Sequence, residues 1–281
     1  MAITNFIPTI WSETLYQQLD REYIGVANCN RDFEGEIKGL GSVVKICGVG
    51  NITLSDYTKN TDMSSPQTLS DTVKELRINQ AKCFNFQIDD IDRAQASPKL
   101  MEAAMHNAAS ALAQEADRQV FGLISGADKI IDAIEPTEEE ILNAFLSARK
   151  YLYEQNVVDN SDIVIEVSPA VAEILLKAKI LLSSDNTAAL EKGCLGTIAG
   201  CKVFVTNSIY TELEDQYMYY YCSMRSKRAV AYAEQISDIE AYRPEKRFAD
   251  AVKGLLLFGI SMLYPEEIVS IKVGVLAETE E

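Results

Sequence analysis

The most constraining stretch of this 281-residue sequence is Ser55 to Ser70 (SDYTKNTDMSSPQTLS), almost wholly polar and set between two strand-like runs. On its N-terminal side, Ser42-Val-Val-Lys-Ile-Cys-Gly-Val49 is rich in β-branched residues. On the return, Leu76, Ile78, Phe84, Phe86 and Ile88 alternate with polar residues, the period of a half-buried strand. Gly35 to Ile88 therefore predicts a long hairpin with a polar tip. A compact domain rarely keeps so long a loop without structure of its own, and a lone two-stranded hairpin is marginal in water. Another surface has to order it, and a neighbouring chain is the simplest one. A chain that projects such a hairpin is built to embrace copies of itself.

The remaining pattern is α+β. Residues 1 to about 32 read as an arm, with Trp11, Leu15, Leu19 and Tyr23 spaced for a short amphipathic helix. Ser97 and Pro98 are suited to open a long helix, whose apolar face is expected through Leu100, Met101, Ala104, Met105, Ala108, Ala111, Leu112, Ala116 and Val120. Gly122 and Gly126 end it. Thr137 and Glu140 form a capping box for a helix through Ile141, Phe145, Ala148 and Leu152. Ser168-Pro169 caps another, ending near Leu182. Strand-like runs follow at 163–167, 202–206, 218–222 and 228–233, then at 254–263 and, past a break at Pro265, at 269–275. Regular βαβ alternation is absent, so an antiparallel sheet is expected.

Charge narrows the function. Lys plus Arg number 26 against 42 Asp plus Glu, a formal net charge of −16. Nucleic-acid recognition needs clustered cations, and anionic membrane surfaces attract them, so both are disfavoured. The longest apolar run, from Leu255 to Phe258 and past Gly259 to Leu263, is far short of the ~20 residues of a membrane span. The N-terminus has no basic n-region, so a cytoplasmic chain with nothing removed is expected. The six cysteines include no CxxC pair and read as reduced thiols packed like small hydrophobes.

Candidate catalytic constellations fail on spacing. The single histidine, His106, sits in the long helix with no Glu at a metal-binding interval. Ser125, in Gly122-Leu-Ile-Ser-Gly126, is not a nucleophile elbow. Gly193, Gly196 and Gly200 with Lys202 miss the phosphate-loop pattern, and Gly48-Val-Gly50 lacks its third glycine. Asp89, Asp90 and Asp92 lack the glycine and terminal Glu of a calcium loop. No cofactor or metal is expected. Gly196 and Gly200 suit tight turns on either side of Ile198, and Asn207 a turn after the next strand.

In order and spacing, the chain resembles the tailed-phage major capsid proteins of the Hong Kong-97-type fold, over essentially its whole length. Phe6-Ile-Pro-Thr-Ile-Trp-Ser-Glu13 is similar to the family's opening arm, Gly39 to Ile88 to its extended loop, and the helix from Pro98 to its spine helix. Leu195-Gly-Thr-Ile-Ala-Gly-Cys-Lys-Val-Phe-Val-Thr-Asn-Ser208 resembles the axial-domain turn and strand. Tyr242 to Gly254 with Pro265-Glu-Glu-Ile268 resembles the closing strands. The resemblance implies an N-terminal arm at 1–32, an extended loop at 33–88, a peripheral domain with the spine helix at 89–127, an axial domain at 128–233 and peripheral return strands at 234–281.

What it implies further is a non-catalytic shell subunit, in hexamers and pentamers of itself, forming an icosahedral head around double-stranded DNA without sequence-specific binding. Portal and scaffolding proteins, and decoration proteins, are its expected partners. The virion is its expected location, after assembly in the host bacterial cytoplasm. Trp11 in the arm and Tyr57, Lys59 and Met63 at the loop tip are the expected inter-subunit contacts. Two other readings stand beside it: a nanocompartment shell of the same fold, and a soluble acidic enzyme with carboxylate chemistry.

Overall fold

The β-branched run at 43–49 pairs as expected: β1 (Val43–Val49) runs antiparallel to β2 (Asp71–Arg77), from Val43 opposite Arg77 to Val49 opposite Asp71. The computed structural model describes residues 15, 18, 19, 22–34, 39–49, 54, 56, 59, 60, 62, 65, 71–89, 100–160, 162–177 and 194–277.

The returning run divides, which the alternation did not reveal. After Arg77 the chain breaks at Ile78 and Asn79, and β3 (Gln80–Asp89) leaves the hairpin. It pairs antiparallel with β11 (Ala249–Met262), which also pairs with β10 (Val230–Tyr242), giving a three-stranded sheet in the order β10-β11-β3. The hairpin base packs on this sheet: Val44, Leu76 and Ile78 form one buried cluster with Ala231, Ala233, Leu257 and Leu263. Both halves of the return thus alternate apolar and polar residues, but they serve different sheets.

Helix α1 (Leu100–Ile124) contacts β3 and β11, and rises about 37 Å at 1.5 Å per residue. Its buried stripe is Met105, Ala109, Leu112, Ala113, Ala116, Val120, Phe121 and Ile124. Ala111, expected on that stripe, is exposed, because the i+3 and i+4 steps from Met105 run through Ala109 and Leu112 instead. Ser97 and Pro98 lie outside the described residues.

The second sheet has seven strands: β4 (Lys129–Ile134), β12 (Ile268–Leu276), β9 (Tyr217–Ser226), β5 (Ile163–Val167), β7 (Cys201–Val205) and β6 (Cys194–Ile198) in that order, with β8 (Thr211–Glu214) also on β9. It is mixed rather than antiparallel, since β4 with β12 and β5 with β7 run parallel. β12 belongs here and not with the return strands of 234–281. Its alternating valines do not mark a one-sided strand: flanked by β4 and β9, it is buried on both faces over most of its length. Likewise β10, beginning at Val230 inside the expected axial segment, pairs in the three-stranded sheet.

Helix α2 (Glu138–Glu154) packs on β4, β9 and β12 and against α3 (Pro169–Lys177). Its start is the capping box read from the sequence: Glu140 N–H donates to Thr137 Oγ1 at 3.3 Å, and Thr137 N–H to Glu140 Oε2 at 2.8 Å. Three glutamates in the first turn also suit the helix dipole. Ser168 Oγ accepts from Val171 N–H at 3.3 Å as α3 begins.

The junction between β2 and β3 passes directly over Gly259 of β11. A Cβ there would lie 2.3 Å from the Arg77 carbonyl oxygen, a backbone atom that cannot rotate away. Gly259→Ala is expected to lower the unfolding free energy by about 1–3 kcal/mol in a denaturant titration. Gly122→Ala, on α1 with nothing within 4 Å of its Cβ, should instead raise it by roughly 0.5–1 kcal/mol.

Candidate functional site: the arm clamp and the projecting hairpin

Among the described residues the densest polar constellation is the set of buried charges that holds the segment 23–34. This segment carries no strand or long helix, only a 3-10 turn at Val26–Asn28, so its backbone groups need partners from elsewhere. α1 supplies the first: Asp117 Oδ2 accepts from Ile24 N–H at 3.1 Å and Oδ1 from Val26 N–H at 2.9 Å. Gly25 fits between them because a Cβ would come within 2.9 Å of the Phe121 ring.

Arg225 of β9 supplies the second. Its side chain is fully buried, and Nη1 donates to Asn28 O at 2.8 Å and Nη2 to Gly25 O at 3.0 Å. Nε and Nη2 also engage Glu166 of β5 in a fork, at 3.0 and 2.8 Å. Glu166 in turn accepts from Ser223 Oγ at 2.6 Å and Asn28 Nδ2 at 3.2 Å. Two charges in a dry interior are tolerable only when paired and saturated with hydrogen bonds, and both carboxylate oxygens here are used.

β10 makes the third attachment. Glu234 accepts from Arg31 Nη2 at 2.9 Å, Tyr232 OH at 2.8 Å and Tyr23 OH at 2.5 Å. Asn30 adds a bridge to the strand edge, its N–H donating to Val230 O and its carbonyl accepting from Tyr232 N–H, each at 2.9 Å. The segment therefore joins α1, the seven-stranded sheet and the three-stranded sheet. Leu15 and Leu19 are buried upstream of it, as their spacing predicted.

Burial dominates the titration here. It raises the Asp117 carboxyl to about 6 against the pull of its backbone donors, and raises Glu234 in the same direction. The Cys29 and Cys222 thiols are pushed up to about 11 and about 12, so neither supplies a thiolate at neutral pH.

Among the described residues, the hairpin's apolar anchors are Val44, Ile46, Leu76 and Ile78, toward its base. Besides the apolar cluster, Lys74 Nζ of β2 lies 4.5 Å from the centre of the Tyr264 ring, and Arg228 approaches the same ring at 5.4 Å. Arg228 also forks onto Glu267, with Nε at 2.9 Å from Oε2 and Nη2 at 2.5 Å from Oε1. Val43, opposite Arg77 at the base, and Val73 further out are exposed, and Leu54 is 91% exposed.

Of the expected contact residues, Lys59 is exposed in a turn beside Asn60, whose φ is 66°. Trp11, Tyr57 and Met63 lie outside the described residues. Gly200, φ 82°, forms a two-residue hairpin turn with Ala199, φ 50°, between Ile198 and Cys201. A Cβ on Gly200 would also reach 2.6 Å from Asn160 Nδ2. Gly196, φ 152°, occupies not a turn but a bulge within β6, where pairing with β7 shifts register after Cys194. Asn207 is exposed in a turn after β7, next to a Ser208 N–H bond to Thr206 Oγ1 at 3.2 Å. These turn residues belong to the seven-stranded sheet, and Lys59 to the loop beyond the hairpin.

His106 is half-exposed, 3.7 Å from Glu22 Oε1. Cys83 is exposed rather than packed, because it sits on the face of β3 turned away from α1. No group of three His, Cys, Asp or Glu side chains among the described residues is arranged to hold a metal ion. None of their helices is long and apolar enough to cross a membrane. Sequence reasoning missed Asp117, Glu166, Arg225 and Glu234. The signal was present: Glu166 interrupts IVIEV, and Glu234 follows AVAYA, each a charge in an otherwise apolar strand.

Solved structures resemble the chain over nearly its full length. One from Mycobacterium phage Che8 is 28% identical, covers 96% of this chain and 98% of its own, and superposes with a TM-score of 0.69. The capsid of Ralstonia phage GP4 is 13% identical, with 94% and 92% covered and a TM-score of 0.71. A virus-like particle from Pyrococcus furiosus is 12% identical, with 92% and 96% covered and a TM-score of 0.57. No family model matches the sequence, and no curated protein does.

Arg225→Met leaves Glu166 buried without its cation and two backbone carbonyls without donors, and is expected to cost the unassembled subunit about 3–5 kcal/mol in urea unfolding. Adding Glu166→Gln to it should recover part of that loss. Asp117 behaves differently. Its folded value lies above the ordinary one, so ionisation opposes folding above about pH 6, and the opposition lifts as pH falls through that value. Wild-type protein should therefore gain stability between about pH 7 and about pH 5 relative to Asp117→Asn; parallel pH profiles for the two would contradict this.

Proposed function

We propose that this chain, which has the Hong Kong-97-type fold of tailed-phage major capsid proteins, self-assembles into the icosahedral head shell around a double-stranded DNA genome. The observation that carries the reading is likeness to a phage structure along 96% of one chain and 98% of the other. Capsid-like neighbours point to a structural rather than a catalytic role, and to the virion as the chain's location.

The physics of the subunit suits that role. Among the described strands, β1 and β2 pair only with each other, so each offers an outer edge of backbone groups to a neighbour. Resting the hairpin on an adjacent subunit gives those groups and the polar tip a surface. The acidity suits it as well, because a wall of formal charge −16 per subunit does not hold phosphates and leaves a packed genome free to move. Pentamers and hexamers, assembled in host cytoplasm and joined by a portal, complete the reading. Many individually weak contacts leave curvature poorly specified, so a separate scaffolding chain is the template we propose. Decoration proteins are further candidate partners. Trp11, Tyr57, Lys59 and Met63 remain the proposed contact residues of arm and tip.

A nanocompartment shell of the same fold is the second reading, favoured by the likeness to the Pyrococcus furiosus particle, at the lower TM-score of 0.57. Both shell readings require the loop.

Deleting Asp56 to Leu69 removes none of the clamp and none of the hairpin base. The variant is expected to keep its circular dichroism spectrum while losing particles, by about tenfold or more in the sedimenting fraction if the tip contributes even 1.4 kcal/mol per contact. Normal shells from the deletion would sink the reading of the hairpin as an assembly element.

A further inference from the structure

Among the described residues, buried charges come with a means of relief, and Arg149 of α2 is the exception. Glu166, Glu234 and Glu267 each meet an arginine. Asp117 has backbone donors and, with its carboxyl raised to about 6, a proton within reach. Arg149 is 3% exposed, and the groups it bonds are all neutral. Nη1 donates to Val157 O at 3.0 Å, and Nη2 to Val158 O at 3.2 Å and Asn160 Oδ1 at 2.5 Å. Its Nε–H has no hydrogen-bond partner among the described residues. A guanidinium does not shed its proton inside a protein, so the charge stays, and a buried cation without an anion is costly.

The same side chain lines an open groove of about 450 Å³, in the size range of small-molecule sites. Leu146, Lys150, Tyr153 and Glu154 of α2 line it too, with Ala199 of the β6–β7 turn. The Tyr153 ring centre lies 3.6 Å from the guanidinium carbon, and Tyr153 is 47% exposed, so the ring is a cover with solvent to swing into. Lys150 Nζ is 3.7 Å from Glu154 Oε1 and offsets that carboxylate. Two cations against one carboxylate leave the groove net positive, on a chain of formal charge −16.

We infer that this groove is a binding site for a small oxyanion, a phosphate or carboxylate group that pairs with Arg149 Nε–H and with Lys150 once Tyr153 turns aside. Guanidinium and ammonium donors side by side suit such a head group. Leu146 and the Tyr153 ring give an apolar wall to whatever carries it. The bound anion supplies the counter-charge that Arg149 lacks, and through Arg149 it steadies the 157–160 segment against α2. No residue of the clamp or the hairpin takes part, so the site stands or falls apart from the shell reading.

The test follows the Arg149 Nε–H resonance by nuclear magnetic resonance in the isotope-labelled, unassembled full chain, assigned by its absence from Arg149→Lys. The chain is titrated with inorganic phosphate, with acetate and with chloride at matched ionic strength. The resonance is expected to move saturably with phosphate or acetate and not with chloride, and the tighter of the two identifies the head group. Lys150→Glu and Leu146→Glu change exposed positions and should fold like wild type by circular dichroism. Each brings a negative charge to the mouth of the groove and should weaken the binding by about tenfold or more. If Arg149→Lys does not fold, the phosphorus line width of inorganic phosphate decides the matter: broadened by wild type and sharp with Leu146→Glu. Equal movement with all three anions, or none with any, would overturn the site. Binding left intact in both Glu variants would overturn it as well.

Discussion

One guanidinium sets the geometry on which the rest of the subunit depends. Arg225 binds two carbonyls of a segment that has no regular structure and a carboxylate on the neighbouring strand, all out of reach of water. A buried ion pair of this kind adds little net stability over an apolar pair, but each partner is costly without the other. Its consequence is specificity: the segment can occupy one place only. Asp117 and Glu234 then tie the same segment to α1 and to β10, so residues 23–34 act as a joint between the two sheets. An arm leaving such a joint has a fixed origin.

The hairpin obeys the opposite logic. Its base is packed while Val73 and Leu54 further out are exposed, and β1 and β2 contribute no strand to either large sheet. The clamp makes the body rigid, while the hairpin is left for another surface to complete. That division is what a shell subunit needs. Its fold must survive alone, and its projecting parts gain their stability only in the assembly.

Local chemistry was legible in the sequence wherever it is decided within a few residues. Thr137 and Glu140 cap each other across one turn, and the β-branched run at 43–49 pairs as its composition requires. Leu15, Leu19 and Tyr23 are buried as their spacing indicated. Pairing partners were not legible, because alternation says that a strand has two faces and not which strand lies beside it. Phe84 and Phe86 therefore seemed to continue the hairpin, although they pack beneath the three-stranded sheet instead. The parallel neighbours of β12 and β5 were hidden for the same reason. The clamp was unread because its members, spread from Tyr23 to Glu234, converge only in three dimensions.

The account makes assembly the function and the subunit fold its means, so the most direct measurement is electron microscopy of the purified wild-type chain. The predicted images show assembled rings, tubes or shells of uneven size, since no scaffolding template is present, with density for each β1–β2 hairpin lying across an adjacent subunit. A field of dispersed single subunits at concentrations where the chain is folded, with no rings, sheets or shells, would contradict it.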